Sequence, residues 1–528
     1  MKNTENKKPY ILAIDHGTSG CKVAIISIHG EVVDSAFEPT PMYFSPGGGA
    51  EQDTGDWWNG IVNAAKKLLA RGKVKPGDIV SVAVSSTFST TVPVDKQGRA
   101  LMRAITWMDS RGAPYIKEAM TGTINIEGYG LRKILTWIRK TAGGPQLSGK
   151  DDIAHVLLVQ NQYPEVYEKT YKFLGSKDYL NLRLTGKFYA SYDSIMLFWV
   201  TDTRDVDNIH YDDTLIKRLK IDRGKLPDLI RATDVVGTLS KEAAEALGLS
   251  TGVRVVCGSP DHQSALVGSG AVRDFEGHLY IGTSSWIECI VPFKKTDMFH
   301  SIASLPSALP GRYQCIDEQD IAGGSLPFLL NNILFYNNEL NQALPPEMPY
   351  ERMDKIAAKV PAGSNKVIFT PWLNGERSPV DTTTLRGGLY NLSVTTIMND
   401  IVRAFFEGVA YNTRWNLGYV EKFAGRKFET INIVGGGAQS DIWCQIFADV
   451  LQRNIRRVSD PLQANARGAA FIASVSLGYI SFDDIPSLIR YDRTFSPDKK
   501  NAVLYDGLYK EFLNIYRNNK SMYRRLNG

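Results

Sequence analysis

The chain has 528 residues, of which 43% are hydrophobic and 22% charged, a composition typical of a globular protein and unlike a disordered one. Its 61 basic and 56 acidic residues leave a net charge of +5, too small an excess for this length to indicate nucleic-acid binding. A single hydrophobic core rarely extends over so long a chain, so we expect two large domains plus a terminal appendage.

The N-terminal stretch MKNTENKKPY is charged and lacks the apolar segment of a signal peptide. The longest mainly apolar run, GAAFIASVSLGYI, is too short to cross a bilayer. These features predict a cytoplasmic protein without a membrane partner. The widely spaced cysteines are predicted to be reduced core thiols: Cys21, Cys257, Cys289, Cys315 and Cys444.

The first predicted elements are two apolar strands joined by a Gly-Thr-Ser turn in AIDHGTSGCKVAII, Ala13 to Ile26. The backbone N–H groups and hydroxyls of such a turn suit phosphate. The segment is not a P-loop, because Lys22 is followed by Val23 and no Gly-Lys-Ser or Gly-Lys-Thr occurs in the chain. Asp15 stands directly before this turn, where a carboxylate alone would repel phosphate.

Further along, predicted strands (IVSVAVSS, AITWMD) alternate with predicted helices (DWWNGIVNAAKKLLARG, SKDYLNLRLTGK), which indicates an α/β fold. The segment HLYIGTSSWIECIVP then repeats the strand, the Gly-Thr-Ser turn and the second strand half a chain later. A chance hairpin is the alternative, but this placement favours a duplication with a nucleotide between two domains. The phosphates would contact both turns: Thr18, Ser19, Gly20, Gly282, Thr283 and Ser284.

A third glycine-rich turn lies between a predicted strand and a predicted helix in TINIVGGGAQSDIWCQIFADVLQ. Its glycines, Gly435 to Gly437, would let adenine or ribose approach the backbone closely. Ser440 stands where the dinucleotide pattern needs its last glycine, which disfavours NAD. The last forty residues are predicted to form an amphipathic, basic surface helix.

Asp261 follows a predicted strand and a Gly-Ser-Pro turn in CGSPDHQSALVGSG, at the predicted domain junction. A carboxylate there is placed to accept the proton of a hydroxyl that attacks a γ-phosphate. An Asx turn or a helix N-cap is the alternative interpretation.

An ordered set of segments, DHGTSGCK, WMDSR, SPDHQSALVGSG, YIGTSSW, LNGERSP, IVGGGAQSDIW and NARGAAFIAS, resembles the FGGY carbohydrate kinases. That family includes xylulokinase, glycerol kinase, ribulokinase and gluconokinase, and the resemblance extends from about Tyr10 to Gly478. It implies two ribonuclease-H-like domains in the actin and hexokinase arrangement, with an interdomain cleft for ATP and sugar. The implied domains are an N-terminal kinase domain over 1–268, a nucleotide-binding C-terminal domain over 269–480 and a helical extension over 481–528.

The resemblance also implies roles for individual residues. Asp261 would be the catalytic base, and Asp15 would hold Mg²⁺, through water in part, since Mg²⁺ binds few protein carboxylates. ATP would contact the two hairpin turns and five further residues: Lys22, Gly323, Gly436, Gly437 and Asp441. The sugar side would include Phe88, Ser89, Trp107, Asp109 and His262. A homodimer is common among such kinases, and no nucleic-acid partner is expected.

The overall pattern is nearest to the xylulokinase branch, which predicts conversion of D-xylulose to D-xylulose 5-phosphate. Xylulokinases carry Gln-Met-His-Gly, and glycerol kinases an Arg-Glu pair, where this chain has Phe88 and Ser89. Ribulose, a polyol such as glycerol or erythritol, and a sugar acid therefore stay open as substrates. A non-catalytic, actin-like sugar sensor is the alternative of another class, and the presence of both Asp15 and Asp261 favours the enzyme.

Overall fold

The computed structural model describes residues 8–528, so most of the charged N-terminal stretch lies outside the described residues. The first domain is built on a six-stranded sheet in which Tyr10–Gly17 pairs with Gly20–Ser27 in antiparallel and with Ile79–Ser86 in parallel. In spatial order its strands are Val235–Thr238, Arg254–Pro260, Ile79–Ser86, Tyr10–Gly17, Gly20–Ser27 and Val32–Pro39.

The second domain repeats this topology in an eight-stranded sheet, where Gly277–Ile281 pairs with Ser285–Val291 in antiparallel and with Thr430–Val434 in parallel. Its strands, in spatial order, are Thr296–Asp297, Ile302–Pro306, Tyr313–Gln319, Ser285–Val291, Gly277–Ile281, Thr430–Val434, Asn454–Val458 and Tyr491–Phe495. Each sheet thus has three successive antiparallel strands followed by two parallel ones. This shared order confirms the predicted pair of ribonuclease-H-like domains and the duplicated hairpin.

Smaller sheets and the helices surround these two sheets. A five-stranded sheet of the first domain contains Lys172–Gly175, Thr91–Val94, Ala104–Ile105, Gly49–Gln52 and Tyr43–Ser45. The two-stranded sheets are Asn125–Ile126 with Tyr129–Gly130, Tyr189–Ser191 with Asp228–Ile230, Thr201–Asp202 with His210–Tyr211, and Ile368–Thr370 with Gly388–Tyr390. The α-helices are Thr54–Ala70, Ala113–Met120, Leu131–Thr141, Asp152–Gln162, Pro164–Lys169, Ser176–Thr185, Asp213–Leu219, Lys241–Leu247, Asp261–Gly268, Ser325–Phe328, Pro349–Lys359, Met398–Ala424, Asp441–Leu451, Ala464–Ser476, Ile485–Leu488 and Ala502–Asn527.

Two helices cross at the junction of the domains, Asp261–Gly268 from the first and Ala464–Ser476 from the second. Glycine lets the backbones meet, because a Cβ at Gly268 would lie 1.9 Å from the Ala464 carbonyl oxygen. A Cβ at Gly468 would lie 1.8 Å from the Ser264 carbonyl oxygen. The crossing therefore fixes the helix that begins at Asp261 against both domains.

The C-terminal segment is partly a strand and is not wholly helical, since Tyr491–Phe495 pairs with Asn454–Val458 at the edge of the second sheet. One face of helix Ala502–Asn527 packs on the second domain, where Tyr505 and Phe512 are fully buried. The five cysteines are free and buried, as predicted. Within residues 8–528 no helix is both long and apolar enough to span a membrane.

Candidate active site

The first Gly-Thr-Ser turn is held rigidly against the small five-stranded sheet. Trp107 Nε1 donates to Thr18 Oγ1 at 3.0 Å, and Gln52 Nε2 donates to the Thr18 carbonyl at 2.8 Å. The N–H of Thr40 donates to the Ser19 carbonyl at 3.0 Å, while Gly20 pairs with the last residue of the first strand. Ser19 is exposed at the tip of the turn.

Asp15 and Lys22 face each other across this hairpin, which explains the carboxylate beside a phosphate turn. Lys22 Nζ lies 3.8 Å from Asp15 Oδ2 and donates to the Leu462 carbonyl at 2.6 Å. Asn465 Nδ2 donates to Asp15 Oδ1 at 3.3 Å. Burial raises the pKa of Asp15, and the Lys22 charge and the Asn465 hydrogen bond oppose that rise. Leu462 and Asn465 belong to the second domain, and the sequence analysis predicts no role for either.

The second Gly-Thr-Ser turn is joined to the loop that contains Gly323. The N–H of Gly323 donates to the Gly282 carbonyl at 2.9 Å, and the N–H of Gly324 donates to the Thr283 carbonyl at 3.0 Å. A Cβ at Gly323 would lie 2.4 Å from the Gly282 carbonyl oxygen, so only glycine permits this contact. Within the turn, the Gly282 N–H donates to the Ser284 carbonyl at 2.9 Å.

The triple-glycine turn packs on the end of the same strand. Gly435 has a φ of +89°, and a Cβ at Gly437 would lie 2.3 Å from Ile281 Cγ2, whereas one at Gly436 would meet nothing closer than 4.0 Å. Gly436 thus offers bare backbone to a ligand. Asp441, predicted to border the adenosine, forms ion pairs with Arg457 and Arg493 at 2.6 and 2.7 Å. These pairs hold its carboxylate at the start of helix Asp441–Leu451.

Asp261 is the first residue of its helix, directly after the parallel strand Arg254–Pro260. Its Oδ1 accepts the N–H of His262 at 2.8 Å. Burial and, next, the negative charge of Asp15 raise the pKa of Asp261 to about 7. A carboxylate with this pKa is matched to general-base catalysis near neutral pH.

The first domain supplies one wall of the cleft near Asp261. The Phe88 ring packs on the His262 ring with centroids 4.9 Å apart. Ser89 has a φ of +55°, and its Oγ donates to the Lys150 carbonyl at 2.5 Å. This strained turn fixes Phe88 and Ser89 beside His262.

Two predicted sugar ligands have other contacts. Asp109 is fully buried, and its oxygens accept from the Arg111 guanidinium at 2.6 to 3.1 Å and from the Ala50 N–H at 2.9 Å. It therefore supports the loop that carries Trp107. His262 is 4% exposed, and its Nδ1 faces Glu288 of the second domain at 3.3 Å.

Side chains on one face of the second domain's sheet form the opposite wall of the cleft. Tyr280, Trp286 and Glu318 are neighbours in strand register, and the Tyr280 and Trp286 rings stack at 4.0 Å. Arg377 Nη1 donates to Glu318 Oε2 at 2.5 Å, and its guanidinium lies 5.5 Å from the Trp107 ring centroid across the cleft. The segments YIGTSSW and LNGERSP were recognised in the sequence, but no role was assigned to Trp286, Glu318 or Arg377.

The residues present fit a nucleotide with a divalent cation. After burial, the negative charge of Asp15 is the next cause of the raised pKa of Asp261, and a cation bound by Asp15 would offset that charge. Residues 8–528 contain no group of three or more His, Cys, Asp or Glu side chains arranged to bind a metal. Mg²⁺ keeps several waters and needs only one or two carboxylates, so Asp15 is a suitable ligand.

Two domains with the same strand order, each with a Gly-Thr-Ser hairpin turn, form the framework of the site. Models of the FGGY family of carbohydrate kinases match residues 10–268 for the N-terminal domain and residues 279–477 for the C-terminal domain. The chain therefore belongs to the FGGY family and is a carbohydrate kinase. The family implies ATP as the phosphoryl donor.

Several known proteins are similar over their whole length. The chain is 27% identical to xylulose kinase of Staphylococcus epidermidis over 98% of both chains. It is 25% identical to gluconokinase of Bacillus subtilis over 98% of this chain and 97% of that one. The crystal structure of ligand-bound xylulose kinase from Lactobacillus acidophilus has a TM-score of 0.85 at 24% identity, covering 98% of this chain and 100% of that one. This last likeness confirms the two-domain fold.

Proposed function

We propose that the protein transfers the γ-phosphoryl group of ATP to a hydroxyl of a ketopentose, with D-xylulose as the best candidate and D-xylulose 5-phosphate as the product. The observation that carries the proposal is Asp261, whose pKa is raised to about 7 beside Asp15 between the two hairpin turns. The similarity to xylulose kinase over nearly the full chain supports the choice of acceptor.

In this proposal each group has one task. The backbone and hydroxyls of the Thr18 and Thr283 turns bind the phosphates from the two domains. Lys22 moves from the Leu462 carbonyl to the phosphates and supplies positive charge, while Asp15 holds Mg²⁺, which would neutralise charge that develops during transfer. Asp261 accepts the proton of the attacking sugar hydroxyl.

A sugar acid is the second candidate acceptor. Lys150 lies beside Ser89, and the pKa of Lys150 is lowered by burial and by the nearby charge of Arg377. Two cations on the acceptor side suit a substrate carboxylate, and a gluconokinase is among the similar proteins. Arg377 is already paired with Glu318 and Asp320, which is why we rank the ketopentose first.

ADP release measured over a panel of acceptors tests the proposal. The panel contains D-xylulose, D-ribulose, glycerol, erythritol and gluconate, each with and without Mg²⁺. We expect the highest kcat/KM with D-xylulose and dependence on the metal. Preference for gluconate would support the second candidate, and no turnover with any acceptor, despite ATP binding, would indicate the sugar sensor.

A further inference from the structure

A buried polar cluster lies directly behind Asp261, between its helix and the sheet of the second domain. His262 Nδ1 lies 3.3 Å from Glu288 Oε1, and His278 Nε2 lies 4.0 Å from Glu288 Oε2. Glu288 and His278 are fully buried, and His262 is nearly so. These three residues, the His-Glu-His cluster, join the first domain to the second within a few ångströms of the proposed base.

The topology of the second sheet assembles this cluster. His278 and Glu288 are directly opposite each other on antiparallel strands, so their side chains lie on one face of the sheet. Tyr280 and Trp286, the next opposed pair on that face, line the cleft. His262 comes from the other domain, one residue after Asp261, and its N–H holds Asp261 Oδ1.

Stability alone does not account for the cluster. None of its six side-chain nitrogen and oxygen atoms has a hydrogen-bond partner among residues 8–528. A buried polar atom without a hydrogen-bond partner destabilises the folded state, so apolar residues would make a more stable interface. Such groups in a native structure call for a functional explanation.

The protonation states allow a direct contact. Burial raises the pKa of Glu288 well above its usual range and lowers the pKa of His262 to about 3, which favours the neutral form of both side chains. A neutral carboxylic acid donates its O–H, and the neutral ring accepts at Nδ1. A movement of a few tenths of an ångström from 3.3 Å closes a hydrogen bond.

We propose that His262 is a positioning residue: its contact with Glu288 ties the Asp261 helix to the sheet of the nucleotide-binding domain and fixes the orientation of the Asp261 carboxylate. This inference rests on the proposed phosphoryl transfer. The next residue strengthens the attachment, because Gln263 donates to the Pro306 carbonyl at 2.9 Å and accepts the Ala308 N–H at 2.6 Å. The base thus moves with the domain that holds the nucleotide, although its strand belongs to the other domain.

Three substitutions of His262 distinguish this positioning role from direct binding of the substrate and from no role in turnover. The amide of Asn occupies the place of Nδ1, the amide of Gln occupies that of Nε2, and Phe keeps only the ring that packs on Phe88. We expect His262→Asn to retain most of kcat, whereas His262→Gln and His262→Phe lose roughly ten- to a hundred-fold, the size expected for a misplaced base. KM for the sugar should change by less than about threefold in all of them, because the His262 side chain is nearly buried and faces Glu288.

The partner substitutions complete the test. Glu288→Gln keeps a donor toward Nδ1 and should retain turnover. Glu288→Leu should lose as much of kcat as His262→Phe does. The double variant His262→Phe/Glu288→Leu should lose little more than either single variant. His210→Asn, at an exposed histidine, is the control. Retention of turnover by Gln but not Asn at position 262, with a raised KM, would show direct substrate binding and overturn the proposal. Equal turnover in all variants would overturn it as well.

Hydrogen exchange of the peptide that covers residues 261–268 gives a readout that does not need turnover. Exchange should be faster in His262→Phe and in Glu288→Leu than in the unaltered protein, and unchanged in His262→Asn. If the proposed function failed, the unaltered protein would phosphorylate no acceptor but the exchange difference would persist. If only the present inference failed, the unaltered protein would be active and the exchange rates would coincide.

Discussion

Asp15 and Asp261 set the electrostatics of the cleft, because Asp15 is buried, Asp261 is half-buried, and the charge of the first raises the pKa of the second. Lys22 and Asn465 offset the charge of Asp15, whereas Asp261 has only backbone hydrogen bonding from His262. Burial raises the pKa of both carboxylates, but only Asp15 has a neighbouring cation and a side-chain amide that oppose the rise. These partners favour the ionised form of Asp15, the form that suits a cation.

Asp261→Asn tests the base directly. We expect kcat to fall by orders of magnitude while the affinity for ATP stays within about threefold, since the amide keeps the shape but cannot take a proton. Because the pKa of Asp261 is higher in the folded than in the unfolded chain, the native state loses stability as the pH rises from about 3.8 to about 7, and the loss is complete above that. The variant should thus unfold at a higher temperature than the unaltered protein at pH 8, with a smaller difference at pH 5. Normal kcat in a folded variant would remove Asp261 as the base.

The pH profile of the unaltered protein gives a second test of the same carboxylate. Because Asp261 must be ionised to act, kcat/KM should fall about tenfold per unit as the pH drops below about 7 and should be level above it. Initial rates of ADP release from about pH 5 to pH 9 measure this limb. A fall of kcat/KM only near the ordinary aspartate pKa of 3.8 would mean that burial and the charge of Asp15 do not raise the pKa of the base.

Asp15→Asn tests the proposed role of Asp15 as a ligand of Mg²⁺. We expect the Mg²⁺ concentration for half-maximal rate to rise by roughly tenfold or more, because an amide oxygen is a weaker ligand than a carboxylate. The measurement is a Mg²⁺ titration of the rate at constant ATP. Asp34→Asn, on the neighbouring strand Val32–Pro39 and paired with Arg71 at the surface, is a matched control that should leave the titration unchanged. An unaltered curve for Asp15→Asn would exclude it as the metal ligand.

Among the elements, the crossing of helices Asp261–Gly268 and Ala464–Ser476 positions the base and the residues that contact Asp15. Gly468→Ala would place a Cβ 1.8 Å from the Ser264 carbonyl oxygen, a backbone atom that cannot rotate away. Overpacking of this kind costs about 1–3 kcal/mol, so the unfolding midpoint should fall and kcat should decrease with it. Gly418 lies in helix Met398–Ala424, and a Cβ added there would have no other atom within 4 Å. Gly418→Ala should therefore stabilise the protein by about 1 kcal/mol. If both variants had the same unfolding midpoint, the close approach of the two helices would not constrain stability.

The sequence predicted those elements whose signal is local. The two hairpins and the Gly435 turn follow from apolar strands and turn residues that are adjacent in the chain, and the duplication follows from comparing the two halves. The partners of these residues could not be predicted, because Asn465 meets Asp15 from 450 positions away. The opposition of His278 and Glu288 depends on strand register, and the contact of Glu288 with His262 depends on how the domains meet. For the same reason the sequence could not place Asp109 in the interior.

At the scale of the whole molecule, a second connection joins the domains away from the helix crossing. Lys294 of the second domain donates from Nζ to the carbonyls of Ile138 and Arg139 at 3.0 and 3.1 Å, at the end of helix Leu131–Thr141. Thr296 Oγ1 donates to the Ala142 carbonyl at 2.6 Å. An ammonium at a helix C-terminus is favourable because the unpaired carbonyls there carry partial negative charge. This connection adds to the helix crossing and to the interdomain contacts of Asp15, Lys22 and Gln263 in limiting how far the cleft can open.

Lys294→Met should therefore loosen the cleft without touching the site. We expect KM to rise several-fold for both ATP and the sugar with a smaller change in kcat, because ligands must then close a more open molecule. Lys295→Met is the matched control, since Lys295 Nζ donates to the Phe423 carbonyl at 2.9 Å within the second domain. Small-angle scattering should show a larger radius of gyration for Lys294→Met alone, and that difference should vanish when both ligands are bound. Equal KM values and equal radii for the two variants would mean that the helix crossing alone sets the domain arrangement.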